Sequence, residues 1–178
     1  MLAVVVYESM YGNTHTVAER IGAGLAPVGE VVVVPVGEAT DDLVASADLL
    51  VVGGPTHVHG MSRSATRQEA VENVEEQGED LEVDPDAEGP GLRDWFKDLR
   101  EGHHCPAAAF DTRVGTMSAV LSGRASKGIH RRLRHHGFTE VVEPESFLID
   151  ADTHLMDGEE DRAVEWGATI AASLPRAD

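Results

Sequence analysis

Residues 8–16 read ESMYGNTHT. They follow LAVVVY at 2–7, which is apolar throughout, and precede VAERIGAGL at 17–25, whose apolar residues recur at helical spacing. A strand that ends in a small polar loop and runs into a helix makes an anion site. The free N–H groups of the helix's first turn point at the loop, and the helix dipole favours negative charge there. Gly12 permits a tight turn or a close approach of backbone to ligand, and Ser9, Asn13 and Thr14 add side-chain donors. The stretch carries neither the G-x-x-x-x-G-K-[ST] lysine nor G-x-G-x-x-G, which disfavours a nucleoside triphosphate and a dinucleotide. What remains is a phosphate monoester held by hydroxyls and backbone amides.

Working outward, strand-like and helix-like segments alternate. EVVVVPV (30–36) reads as a second strand, with Pro35 placing its end or an edge there. TDDLVASA holds a short helix, and DLLVVGG (48–54) is a third strand closed by two glycines. Thr66 and Glu69 make a capping box for a helix to about residue 77. Leu92, Trp95, Phe96 and Leu99 recur at helical spacing and predict a core face. PAAAFDT (106–112) is a fourth strand, and Ala125, Ile129 and Leu133 line the buried side of a helix that Gly137 ends. FTEVVEPESFLID (138–150) is a long or interrupted fifth strand. Asp157 and Glu160 cap a last helix with Ala163, Trp166 and Ile170 inward. Five apolar strands alternating with helices predict a single α/β domain over residues 1–178, with a parallel sheet covered on both faces.

The chain has 178 residues, 42% of them hydrophobic, enough for a core. No apolar run approaches the roughly 18 residues that cross a bilayer, and the first residues lack a basic leader region. The expectation is a cytoplasmic protein, and one cysteine, Cys105, fits a reducing compartment. The net charge of −18, from 32 acids against 14 bases, repels nucleic acid and anionic membranes and attracts basic partners. The charge is uneven. Residues 75–90 carry eight acids and no base, and read as a solvated surface loop over about 78–90; residues 123–136 carry five Lys/Arg and no acid. The basic run is either a solvated helix face or a docking face.

SMYGNT at 9–14 resembles the phosphate loop of flavodoxins, [ST]-x-[TYF]-G-N-T, and matches that pattern at five of six positions. The resemblance implies FMN, with its phosphate held by Ser9, Met10, Tyr11, Gly12, Asn13 and Thr14. VVGGPTHVHGMS at 51–62 resembles the second flavin loop, G-[ST]-P-T, of flavodoxins and related quinone reductases; Gly54 stands where a hydroxyl residue is usual. By that resemblance Pro55, Thr56, His57, Val58, His59 and Gly60 line the isoalloxazine ring, largely through backbone groups. Thr112 and Arg113 stand where the third flavin loop begins. The family usually sandwiches the ring between aromatic side chains. Here the second loop has only His57 and His59, the third loop has none, and Tyr11 is the nearest aromatic residue. The ring would lean on Val58, Met117, Val120 and Leu121 instead.

The resemblance implies a three-layer α/β/α sandwich, doubly wound, with a five-stranded parallel sheet in the order 2-1-3-4-5. Ligands in such folds bind where the strand order switches, here between the first and third strands, and these carry the two motifs. Three functions follow. The first is an FMN-binding electron carrier for a protein partner with a basic docking surface. The second is an NAD(P)H-dependent FMN quinone reductase. The third is a flavodoxin-like domain that binds no flavin and acts through its surface. None requires a catalytic side chain, because the flavin does the chemistry. His57-x-His59 and the His103–His104–Cys105 run do not by themselves make a metal site, and His104 points away from Cys105 on an extended chain.

Overall fold

The computed structural model describes residues 1–57, 60–62, 83–85, 87, 89–115 and 123–174. Four longer strands form the body of the sheet: β1 (Leu2–Tyr7), β2 (Glu30–Pro35), β3 (Leu49–His57) and β5 (Pro106–Val114). A two-residue β4 (Gly60–Met61) turns back antiparallel on β3. β6 (Thr139–Glu140) and β7 (Glu145–Ile149) both lie parallel to β5. The order is β2-β1-β3-β5-β6, with β7 also on β5. Taking β6 and β7 as one interrupted strand, this is the expected 2-1-3-4-5 order.

Among the described residues, five α-helices cover the sheet: α1 (Asn13–Leu25), α2 (Asp41–Ser46), α3 (Leu92–Asp98), α4 (Ala125–His135) and α5 (Glu159–Ser173). Because both faces are covered, alternate residues of each central strand enter different cores, which is why the strands read as continuous apolar runs. Ala3, Val5, Val51 and Phe110 pack against Val17 and Ile21 of α1 and Ala163, Trp166 and Ile170 of α5. Val4, Val6, Leu50 and Val52 pack against Trp95 and Phe96 of α3 and Ile129 and Leu133 of α4. Trp95 is a core residue, as its spacing predicts, and its indole N–H donates to the Ala39 carbonyl at 2.8 Å. α1 and α5 meet backbone to backbone: a Cβ on Gly24 would lie 2.2 Å from the Val164 carbonyl oxygen, and one on Gly167 2.4 Å from that of Ile21.

Two sequence expectations change, and of the long or interrupted strand expected over 138–150 the interrupted form is found. β3 does not stop at Gly53–Gly54 but runs on to His57. The glycines are there for space: a Cβ on Gly53 would sit 2.1 Å from the Phe110 ring, and one on Gly54 2.7 Å from Leu92. The stretch 138–150 is two short strands, with the chain leaving the sheet around Glu143–Pro144. The last helix begins at Glu159 with Gly158 (φ 83°) at its N-cap and no side-chain cap, so Asp157 does not cap it. Glu159 instead accepts from the Leu148 amide and pairs with Arg162. The Thr66–Glu69 capping box and its helix lie outside the described residues, as do Val58, His59, Met117, Val120 and Leu121. Pro35 lies at an edge as expected, since β2 is the outermost strand on that side. Among the described residues, no helix is long and apolar enough to cross a membrane.

Candidate functional site

The site begins where β1 leaves the sheet. The Glu8 amide still donates to the Gly53 carbonyl at 2.9 Å, and the chain then turns through residues 9–12 into α1. Gly12 has φ 79°, and it is the N-cap residue of α1. A left-handed backbone here is cheap only for glycine, so this residue sets the turn. No side chain caps α1 and its first turn holds no acid. The N–H groups and the positive dipole end thus meet no protein anion from the helix itself.

The hydroxyls divide into one that is idle and two that are joined. Ser9 is buried, and its Oγ has no hydrogen-bond partner among the described residues. Thr14 and Thr112, also buried, share a hydroxyl–hydroxyl bond of 2.8 Å between α1 and β5. Each hydroxyl has one proton, so their mutual bond uses one and leaves the second to point elsewhere. Asn13 is less free than the sequence suggests: its amide donates to the Thr153 carbonyl at 2.8 Å and ties the loop to the turn after β7. Met10 is buried, and its carbonyl accepts from the Asp84 amide at 2.7 Å. Tyr11 is half-buried, and burial raises its phenol pKa.

β3 brings the second motif alongside. Pro55 stands in register with Thr112, and Thr56 and His57 pair with Met61 and Gly60 of β4. The Thr56 hydroxyl accepts from the Ala125 amide at 2.9 Å, so it caps α4. Thr112 and Arg113 are still within β5, on opposite faces by strand alternation, and Thr112 reaches Thr14 at the start of α1. The structure thus brings Ser9, Met10, Gly12, Thr14 and Thr112 together and places Pro55, Thr56, His57 and Gly60 on the neighbouring strand end. Arg113 faces away from Thr14.

Three buried carboxylates at these strand ends were not singled out from the sequence. Glu8 accepts from the Ser62 hydroxyl and, at 2.8 Å, from the Leu92 amide, joining β1, β4 and the start of α3. Asp111 accepts from the Ser126 amide at 2.7 Å through one oxygen, and its other oxygen has no partner among the described residues. Asp84 belongs to the acidic run read as solvated, yet its side chain is 1% exposed and lies 3.5 Å from His15 Nδ1. His15 stacks on Tyr7 with ring centroids 4.4 Å apart. Asp84 is therefore packed on the loop that follows β1. The only advance sign of these roles is position: Glu8 and Asp111 immediately flank motif residues at strand ends.

His103, His104 and Cys105 precede β5, at the opposite end of the sheet from the loops. His103 stacks on Phe138, and burial lowers its pKa. Burial pushes the Cys105 thiol up to about 11, which leaves it a poor nucleophile. Among the described residues no three His, Cys, Asp or Glu side chains converge as a metal would need.

The flavodoxin family profile matches residues 5–166. Among solved structures, a flavodoxin from the domain Archaea superposes with a TM-score of 0.64 at 23% identity, covering 97% of each chain. A flavodoxin of Streptococcus pneumoniae TIGR4 gives 0.65 at 19% identity, over 98% of this chain and 100% of that one. Flavodoxin 1 of Bacillus cereus gives 0.64 at 16% identity, over 98% and 100%. These likenesses speak to the fold. A comparison with curated protein sequences found no match.

Proposed function

Because the chain belongs to the flavodoxin family, we propose that it binds FMN at the ends of β1, β3 and β5 and passes electrons to and from a protein partner. The observation that carries the reading is the buried Ser9 hydroxyl, unpartnered among the described residues, in a loop that Gly12 turns into a helix with no side-chain cap. A buried hydroxyl without a partner is costly, and an acceptor in the loop would remove that cost. A phosphate monoester fits: it brings several acceptor oxygens and a charge suited to the dipole of α1. Bound FMN would supply one- and two-electron redox chemistry. The protein's own work is to bind and orient. Ser9, the spare Thr14/Thr112 proton and the first-turn amides of α1 would hold the phosphate. Pro55, Thr56, His57 and Gly60, on the paired strands β3 and β4, would line the ring, and Glu8 ties β4 to the end of β1 through Ser62.

The partner would have a basic docking surface, by the charge of −18. The test is reconstitution with FMN, followed by reduction and stopped-flow oxidation by a basic one-electron acceptor at several salt concentrations. Transfer that slows as salt rises supports the carrier reading. Steady-state consumption of NADPH with a quinone, and no transfer to the acceptor, would favour a reductase instead.

A further inference from the structure

The cations of this acidic chain are not spread evenly, and among the described residues outside the 123–136 run most are paired with a carboxylate. Arg20 pairs with Glu160, Lys97 with Asp94, Arg100 with Asp41, and Arg162 with Glu145 and Glu159. Along α4 the pattern breaks. Arg124, Lys127, Arg131 and Arg132 have no carboxylate within ion-pair distance among the described residues. Arg124 is held by neutral oxygens, donating to Ser146 Oγ at 2.9 Å and the Pro144 carbonyl at 2.7 Å. Its guanidinium is thus fixed in place with its charge uncompensated.

These side chains line two adjoining clefts. One, of about 410 Å³, runs between Gly60 and Met61 of β4, Arg93 of α3, and Arg124, Arg131 and Arg132. The other, of about 530 Å³, lies between Arg124, Lys127, Arg131 and Glu143. Arg124 and Arg131 line both. Among the described residues the carboxylates at this region are Glu143, which lines the second cleft, and Glu140, which is paired with the cleft residue His130. The positive charges outnumber them.

We propose that this cleft is a second anion site, which binds a small ligand carrying two or more phosphate groups, of nucleotide size. Each volume falls within the roughly 300–1,000 Å³ of small-ligand sites. Forked guanidiniums, one of them held in place at Arg124, suit phosphate oxygens better than a single carboxylate. A concave site suits a small ligand, and the overall charge of −18 opposes a nucleic acid. The cleft opens beside the β3–β4 hairpin, but the assignment rests on α4 and its charges and is independent of flavin binding.

Calorimetric titration of the full chain, apo and after FMN loading, tests it with three probes at low salt: pyrophosphate, ADP and the 2′-phosphorylated nicotinamide dinucleotide. The expected result is binding that weakens with salt. The double variant Lys127→Gln/Arg131→Gln should weaken it about tenfold, the loss of two partly exposed charge contacts. Arg20→Gln, which removes a paired cation from α1, should leave it unchanged. Similar affinity for all three probes would mark the phosphates as the whole of the recognised group, and tighter binding of the dinucleotide would add contacts to its nucleosides; either supports the site. Absence of binding at millimolar probe, or equal binding by the double variant, overturns it. So does binding of poly-glutamate with none of the phosphates, which would make α4 a docking face for an acidic protein. The double variant should keep wild-type FMN affinity; a chain that binds the probes but no FMN would refute the flavin reading and leave this one standing.

Discussion

Ser9→Ala separates binding from stability at a single atom. In the protein alone the Ser9 hydroxyl is buried with no partner among the described residues. A buried unsatisfied hydroxyl costs about 1–3 kcal/mol, so deleting it should leave the apo-protein as stable as before or raise its stability by up to that amount. In the complex the same hydroxyl would donate to a phosphate oxygen, a bond to a charged group worth about 1.5–3 kcal/mol, so the variant should bind FMN about ten- to a hundredfold more weakly. Thr14→Val supplies the contrast. Its hydroxyl is bonded to Thr112 at 2.8 Å in a buried pair, so removing it strands the Thr112 hydroxyl and should cost the apo-protein about 1–2 kcal/mol as well as affinity. Urea unfolding of each apo-variant gives the first quantity, and quenching of FMN fluorescence gives the second. An Ser9→Ala protein that is less stable and binds FMN as tightly as wild type would refute the reasoning, because the hydroxyl would then be structural.

Gly53→Ala places a methyl 2.1 Å from the Phe110 ring and should destabilise the fold by about 1–3 kcal/mol or more; a lower urea midpoint with unchanged slope checks it. Native Cys105, with its thiol raised to about 11 by burial, should react with iodoacetamide at pH 8 about two hundredfold more slowly than a free thiol. Its rate should climb about tenfold per pH unit up to near that value, whereas a plateau near pH 8.5 would show the thiol exposed. Bound flavin should be harder to reduce than free FMN, because Glu8, Asp84 and Asp111 are buried beside the proposed site; spectroelectrochemistry giving a potential at or above that of free FMN would contradict this.

What the sequence made legible was whatever local pattern decides. β1 and β3 are apolar on both sides because both faces of the sheet are covered, so their runs are plain to read. The phosphate loop is legible because one tight turn confines its chemistry to six consecutive residues. The ends of elements were harder. Gly53 and Gly54 look like terminators, but they make room for Phe110 and Leu92, which lie far away along the chain. Asp157 looks like a cap, but Gly158 makes the turn and Glu159 spends its carboxylate on Leu148 and Arg162. The site's cross-links were invisible for the same reason. Thr14 meets Thr112, and Glu8 meets Leu92, only after the sheet has closed. Asp84 lies within an acidic run whose composition alone reads as surface, and its contacts with Met10 and His15 form only once the chain has folded.

The central claim is that the loop from Ser9 to Thr14 holds the phosphate of a flavin. The most direct measurement is a pair of fluorescence titrations of the apo-protein, one with FMN and one with riboflavin, which differ only in that phosphate. The account predicts quenching at one FMN per chain and binding of riboflavin weaker by at least about a hundredfold, the loss of two or more charge-assisted hydrogen bonds. Riboflavin bound as tightly as FMN, or no quenching by either, would contradict it.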